Sequence, residues 1–398
     1  MIEDFTRAAE GQLGDYGQTA FFLGDGLQRA AVDKVFDCFS LQNLNPYLAF
    51  KKSTALLSEL VHATLFFVPG MDSELQWNEI KNKLEVFVLV RNLSGVLGLS
   101  DRVLSPLSTL VGQAYHLDPF KALWAVEGVG HYYADRTWNL HGSPQALLSG
   151  ESNLPTKSLL MLHAGIGLAF ADRIVGSLHL QSSGNEIRAG LQRFHALCER
   201  NSMPGYRGAA LESLGLVTRE FYPDLVHRLA PRLEEIDPEL PAYFWHGVGR
   251  ALYFSRAYFL PVLSSGWEAL ERESRPGPER ENATAGLAWA ATLVNMRQPP
   301  IMEGILRSFV PRFSLGEAVA NGVGSAVAMR EDTTPGEKFV GDFCGHRPRA
   351  RESTLPELWQ QCVASPCSRA LNADYPALKR ENSLERLFRF QEARPSEQ

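Results

Sequence analysis

The chain has 398 residues and a formal net charge of −6, from 39 Lys and Arg against 45 Asp and Glu. At 45% hydrophobic and 21% charged residues, it has an ordinary globular composition. This excludes disorder, which needs low hydrophobicity with high net charge. The acidic balance argues against a nucleic-acid partner.

In chain order, the N-terminus begins Met1-Ile-Glu-Asp-Phe-Thr-Arg7, with no basic stretch followed by an apolar one, so no signal peptide is expected. Gln28–Phe39 and Lys52–Phe67 read as helices of an N-terminal cap over 1–90. Glu85-Val-Phe-Val-Leu-Val90 is the one strand-like run, and it reads equally as a buried helix segment. No window approaches 18 uninterrupted apolar residues. The run Val61–Met71 is broken by His62 and Pro69, so no membrane span is expected.

From residue 91 to 330 the chain repeats itself. Glu127-Gly-Val-Gly-His-Tyr-Tyr-Ala-Asp-Arg136 is matched by Ala164-Gly-Ile-Gly-Leu-Ala-Phe-Ala-Asp-Arg173, by His246-Gly-Val-Gly-Arg-Ala-Leu-Tyr-Phe254 and by Asn321-Gly-Val-Gly-Ser-Ala-Val-Ala-Met-Arg330. Two degenerate copies fill the gaps, Arg207-Gly-Ala-Ala210 and Thr284-Ala-Gly-Leu-Ala-Trp-Ala290. With Gly130, Gly167, Ala210, Gly249, Gly286 and Gly324 as markers, the intervals are 37, 43, 39, 37 and 38 residues. Each block lacks internal proline and is rich in Ala, Leu and aromatics, which predicts a helix. Two glycines inside a helix cost about 0.5–1 kcal/mol each. Their simplest compensation is close approach by a neighbouring helix. The expected fold is all-α: an α-solenoid-like array of helix pairs over 91–330, of period about 37–43 residues, between atypical caps at 1–90 and 331–398. Residues 331–380 of the second cap are rich in Pro, Arg and Gly and read as loop-bearing; 381–398 are charged, with Leu384–Phe390 expected as a last helical turn pair and Ala393–Gln398 as a frayed tail.

Five cysteines, an odd number, do not form a disulfide framework; free thiols and a cytoplasmic location are expected. Cys344, His346, Cys362 and Cys367 lie close in sequence, but their C-x-H and C-x4-C spacings fit no common zinc pattern, so no metal site is assigned. No Walker A loop, Gly-x-Ser-x-Gly elbow or His-Glu-x-x-His occurs, and the motifs leave the cofactor unknown.

Glu127, His131 and Asp135 follow at helical spacing and share one face. Histidine changes charge near neutral pH, so Glu127 beside His131 suits a base with its orienter, and His246 from another copy would complete a catalytic set. The alternative is structural: Asp135-Arg136 recurs as Asp172-Arg173, a pair that would tie adjacent helices. Glu127, Ala164, Arg207, His246 and Asn321 occupy one repeat position, and their polarity suggests a solvated face or groove. Arg207 and Arg250 with Trp245, Tyr253 and Trp289 are the candidate ligand-binding residues; such aromatics line either an apolar groove or the core.

Phe244-Trp-His-Gly-Val-Gly-Arg-Ala-Leu-Tyr-Phe254 and Gly205-Tyr-Arg-Gly-Ala-Ala-Leu-Glu-Ser213 resemble a bacterial family of enediyne biosynthesis proteins found beside enediyne-type polyketide synthases. The likeness covers roughly 120–330 and brings no catalytic residues with it. It implies a role in polyketide-derived natural-product biosynthesis. The partner would be an apolar, polyene-like intermediate or a synthase component, with homo-oligomerisation as a further possibility. A non-catalytic helical-repeat scaffold for protein partners is the alternative.

Overall fold

The computed structural model describes residues 73–99, 104–148, 153–255, 266–308, 316–348 and 354–391. The expected helices at Gln28–Phe39 and Lys52–Phe67 and the final six residues lie outside them. Among the described residues the protein is all-α, with no strand. The longer helices are α1 (Ser73–Arg91), α2 (Leu107–Tyr115), α3 (Pro119–His141), α4 (Leu159–Val175), α5 (Gly184–Asn201), α6 (Arg207–Phe221), α7 (Leu240–Phe254), α8 (Gly266–Glu273), α9 (Pro278–Asn295), α10 (Pro299–Ser308), α11 (Gly316–Thr333) and α12 (Lys338–Gly345). The strand-like run 85–90 belongs to α1, where Val86, Val88, Leu89 and Val90 are buried.

The six block-bearing helices α3, α4, α6, α7, α9 and α11 pack against one another in chain order, and the glycines make the contacts. A methyl group built on the first glycine of a block would overlap a carbonyl oxygen of the preceding helix: Gly165 on Glu127, Gly247 on Glu212, Gly286 on His246 and Gly322 on Ala285. A methyl group on the second would overlap a carbonyl of the following helix: Gly130 on Leu162, Gly167 on Ala210, Gly215 on Phe244 and Gly249 on Ala283. Each first glycine thus rests on the residue just before the previous block's first glycine. The missing side chains let backbones meet, as their cost inside a helix requires.

This rule corrects the alignment of both degenerate copies. In α6 the Oγ of Ser213 donates to the Ala164 carbonyl at 2.8 Å and Gly215 meets α7, so the block is Glu212-Ser-Leu-Gly215 and not Arg207-Gly-Ala-Ala210. In α9, Gly286 takes the first-glycine place and Ala288 the second. Helix α4 sits between α3 and α6 and is buried and apolar along its length, save for His163 and the Asp172-Arg173 pair in its last turn. Thr156–Val175 is the one stretch among the described residues long and apolar enough to cross a membrane, but 89% of it is buried within the protein, so its apolarity serves the core.

The row curls. Arg330 of α11 donates to the Phe120 carbonyl of α3 at 2.8 Å and lies over the Phe120 ring, so the last helix of the row returns to the first. Helix α1 crosses the inner face. Glu79 accepts from the Tyr253 hydroxyl of α7 at 2.7 Å near its start, and Arg91 at its end pairs with Asp172 of α4. The segment expected to bear loops is helical over 355–380. Pro356, Pro366 and Pro376 stand near the starts of its three α-helical stretches. The π turns Gln360–Ala364 and Ala370–Asp374 precede the last two. Proline lacks the N–H and crowds the carbonyl of the preceding turn, and the wider turn absorbs both. A last turn, Leu384–Phe388, seats Phe388 against Trp289 at 5.5 Å between centroids.

Candidate functional site

The residue before each first small residue is, with one exception, buried. With the corrected register this column reads Glu127, Ala164, Glu212, His246, Ala285 and Asn321, and all but Asn321 are buried. It is a lining of the interior and not the solvated face its polarity suggests. Arg250, one position past the second glycine of α7, ties the charged members together. Its Nη2 donates to Glu127 Oε1 at 2.5 Å and its Nη1 to Glu212 Oε2 at 3.2 Å. The other oxygen of Glu212 lies 3.2 Å from His246 Nδ1. The Arg250 guanidinium also lies over the Trp289 ring, 5.0 Å from its centroid, a cation–π contact. Trp289 in turn meets Trp124 at 6.5 Å and His246 at 5.8 Å, both edge-to-face.

Burial sets the protonation of this network. It pushes the Glu127 carboxyl up, with Glu212 acting the same way, and Arg250 pulls it back only in part. It lowers His246, against the pull of Glu212, so the imidazole is held neutral. Two carboxylates face one guanidinium in a dry interior, and a proton on Glu127 relieves the imbalance. Glu127 Oε2 has no hydrogen-bond partner among the described residues. The arrangement can hold and release one proton.

His131 stands apart from that network. Its Nε2 lies 3.0 Å from Asp172 Oδ2 and 3.2 Å from Arg91 Nη1. The hydrogen-bond partners of His131, Asp172 and Arg91, are not those of Glu127 and His246, so the geometry gathers Glu127 and His246, with Glu212 and Arg250, but leaves His131 at the end of α1. The reason is the rise along the helix: the two share a face, but one further turn along α3, about 6 Å, carries His131 past the inner lining to Asp172 of α4. The tie expected of the Asp-Arg pairs is present, with Arg173 of α4 donating to Asp135 of α3 at 2.6 Å.

The ligand-binding candidates divide similarly. Arg207 lies on the outside, pairing with Glu199 and, at 3.3 Å, with Glu239. Beside it, His195, Glu199 and Asp237 are close enough to hold a cation. Arg207 already fills that place, its Nη1 3.4 Å from Asp237, so the donor set is satisfied by a guanidinium. Trp245 is core, edge-on to Phe244 at 5.8 Å. Tyr253 is buried under Lys83, whose Nζ lies 4.0 Å from the ring centroid, and its hydroxyl accepts from Asn295 Nδ2 at 2.6 Å.

One apolar pocket touches the network. Leu168 of α4, Leu216 and Phe221 of α6, Phe254 of α7 and Phe87 of α1 wall it, with Arg250 and Arg91 contributing their side chains. Its volume is about 50 Å³, room for the end of an apolar chain. Glu212 and this pocket were missed in the sequence. The signal for Glu212 was present in the Glu-Ser-Leu-Gly string, once Ser is read as a substitute for the first glycine. No protein-family model, curated protein or solved structure matches the chain.

Proposed function

We propose that the protein binds the end of an apolar, polyene-like intermediate in polyketide-type natural-product biosynthesis, of the enediyne kind, in the cytoplasm. The observation that carries this reading is the pocket: three phenylalanines and two leucines line a space that the buried Arg250, with Arg91 and Glu220, also lines. An apolar cavity with a few convergent polar groups suits a hydrophobic ligand that carries one polar group. Arg250 would face that group, and Glu127 behind it would supply or take a proton without itself lining the space.

The test is a titration of the full chain with a fluorescent conjugated tetraene fatty acid. Saturable enhancement is expected, and Leu216→Trp, which fills the pocket, should abolish it while leaving the circular dichroism unchanged. A Leu216→Trp protein that binds like the parent removes this reading. The scaffold alternative makes a different prediction for protein purified from its natural producer: a synthase subunit would accompany it, with no extractable polyene.

A further inference from the structure

The row of block helices ends at α11, and that end is packed differently from the rest. At Gly130, Gly167, Gly215 and Gly249, the second glycines of earlier blocks, an added methyl group would overlap a carbonyl oxygen of the following helix. At Gly324 of α11 the nearest atom is the Pro366 carbonyl oxygen, 3.5 Å from such a methyl group, an ordinary contact distance. The 355–380 run takes the place of a further block helix, and it stands off.

The stand-off leaves two adjoining cavities, of about 80 and 250 Å³, between α11, the 355–380 run and the chain after it. Asn321, Arg369 and Gln391 line both. Asn321 Nδ2 donates to the Gln391 carbonyl at 2.9 Å, and Gln391 Nε2 donates to the Arg386 carbonyl at 2.8 Å, which fixes Gln391 over α11. Each π turn supplies a wall residue, Gln361 from the first and Asp374 from the second. Single π turns recur at functional sites.

The cleft differs in charge along its length. The smaller cavity is lined by the guanidiniums of Arg369 and Arg386 against one carboxylate, Asp374, which already pairs with Arg369 Nε at 3.1 Å. The larger cavity has Glu317 as the one acid in its lining. On α11, Glu317, Asn321 and Ser325 follow at i, i+4 and i+8 and share a face. The rise from the first to the last is about 12 Å. An extended peptide advances about 3.3–3.6 Å per residue, so about three residues match that span. Between the ends, the amides of Asn321 and Gln391 and the hydroxyls of Ser325 and Ser365 line the cleft. Such groups both donate and accept, as peptide N–H and C=O groups require.

We propose that this cleft binds a short peptide with free termini, its carboxylate at Arg369 and Arg386 and its ammonium at Glu317. Guanidinium–carboxylate bonds are among the stronger hydrogen bonds a site can offer. The cleft shares no lining residue with the apolar pocket at Arg250, so it is a second site and stands apart from the reading of the first.

The experiment is isothermal titration calorimetry of the full chain with trialanine, to about 10 mM, beside N-acetyl-trialanine and trialanine amide. Trialanine should bind saturably at one site. Each cap removes one terminal charge and should weaken binding by about tenfold. Glu317→Gln should bind trialanine and its acetylated form alike while still rejecting the amide. Arg386→Gln should show the converse, with discrimination against the amide reduced and discrimination against acetylation kept. The capped peptides on the parent protein are decisive even if a variant folds poorly. No saturable binding of trialanine, equal affinity of the parent for all three peptides, or a Glu317→Gln protein that still prefers the free ammonium overturns the proposal.

Discussion

Arg250 of α7 donates to Glu127 of α3 at 2.5 Å, although α4 and α6 stand between those helices in the packing order. The bond exists because the glycine contacts let the row curl. In an extended array, neighbouring helices advance by about 8–10 Å, and three steps would put a guanidinium out of reach of that carboxylate. The charge network is thus a product of the glycines, and two predictions test the link from either end.

Removing the guanidinium should be costly. Arg250→Met leaves Glu127 and Glu212 buried without their cation, and breaking such a pair typically costs about 3–5 kcal/mol. Urea unfolding of the variant checks it; a loss under ~1 kcal/mol would mean that water or rearrangement satisfies the carboxylates.

The glycines predict opposite signs at two sites. A methyl group at Gly249 meets the Ala283 backbone, whereas nothing lies within 4 Å of one at Gly112 in α2. Gly249→Ala should therefore destabilise by about 1–3 kcal/mol through overpacking. Gly112→Ala should stabilise by about 0.5–1 kcal/mol through helix propensity. Paired thermal melts decide it, and equal shifts would remove the close-approach explanation.

Stability should fall on acidification, beginning near pH 6.5. His163 is fully buried, with Nδ1 donating to the Leu159 carbonyl at 2.6 Å and Nε2 accepting from the Met203 N–H at 2.9 Å. Burial holds it at about 4, against the pull of the Leu159 carbonyl. The unfolded chain binds this proton first, so the stabilisation is complete above 6.5 and is lost as pH falls toward 4, by about 3 kcal/mol. Asp172 adds a smaller loss at lower pH. Burial raises its carboxyl, but Arg91 and His131 bring it down to about 2, so its share is present above about 4 and lost below. Denaturant midpoints between pH 7 and 4.5 should slope less in His163→Gln than in the parent.

The helices and their glycine contacts were legible because Gly-x-Gly inside a proline-free apolar run has few other uses. The register of α6 was not, since Ser213 replaces the first glycine and substitutes a hydroxyl–carbonyl hydrogen bond for the bare contact. That one substitution hid Glu212 and put Arg207 in its place. The burial of the column was equally hidden: polar residues at one repeat position read as a surface until Arg250, four residues past His246, is seen to pair two of them. His131 misled because it shares a face with Glu127 on α3 but meets Asp172 at the end of α1. The proline-rich segment 355–380 concealed its helicity because π turns precede two of its three prolines.

The most direct measurement is a double-mutant cycle on Glu127→Gln and Glu212→Gln by equilibrium unfolding. If one guanidinium is shared, either single variant leaves Arg250 a carboxylate, and only the double variant leaves it buried without one. The double variant should then lose more than the sum of the singles, by about 1–3 kcal/mol. Strictly additive losses would contradict a shared Arg250 and, with it, the closed inner face on which the pocket depends.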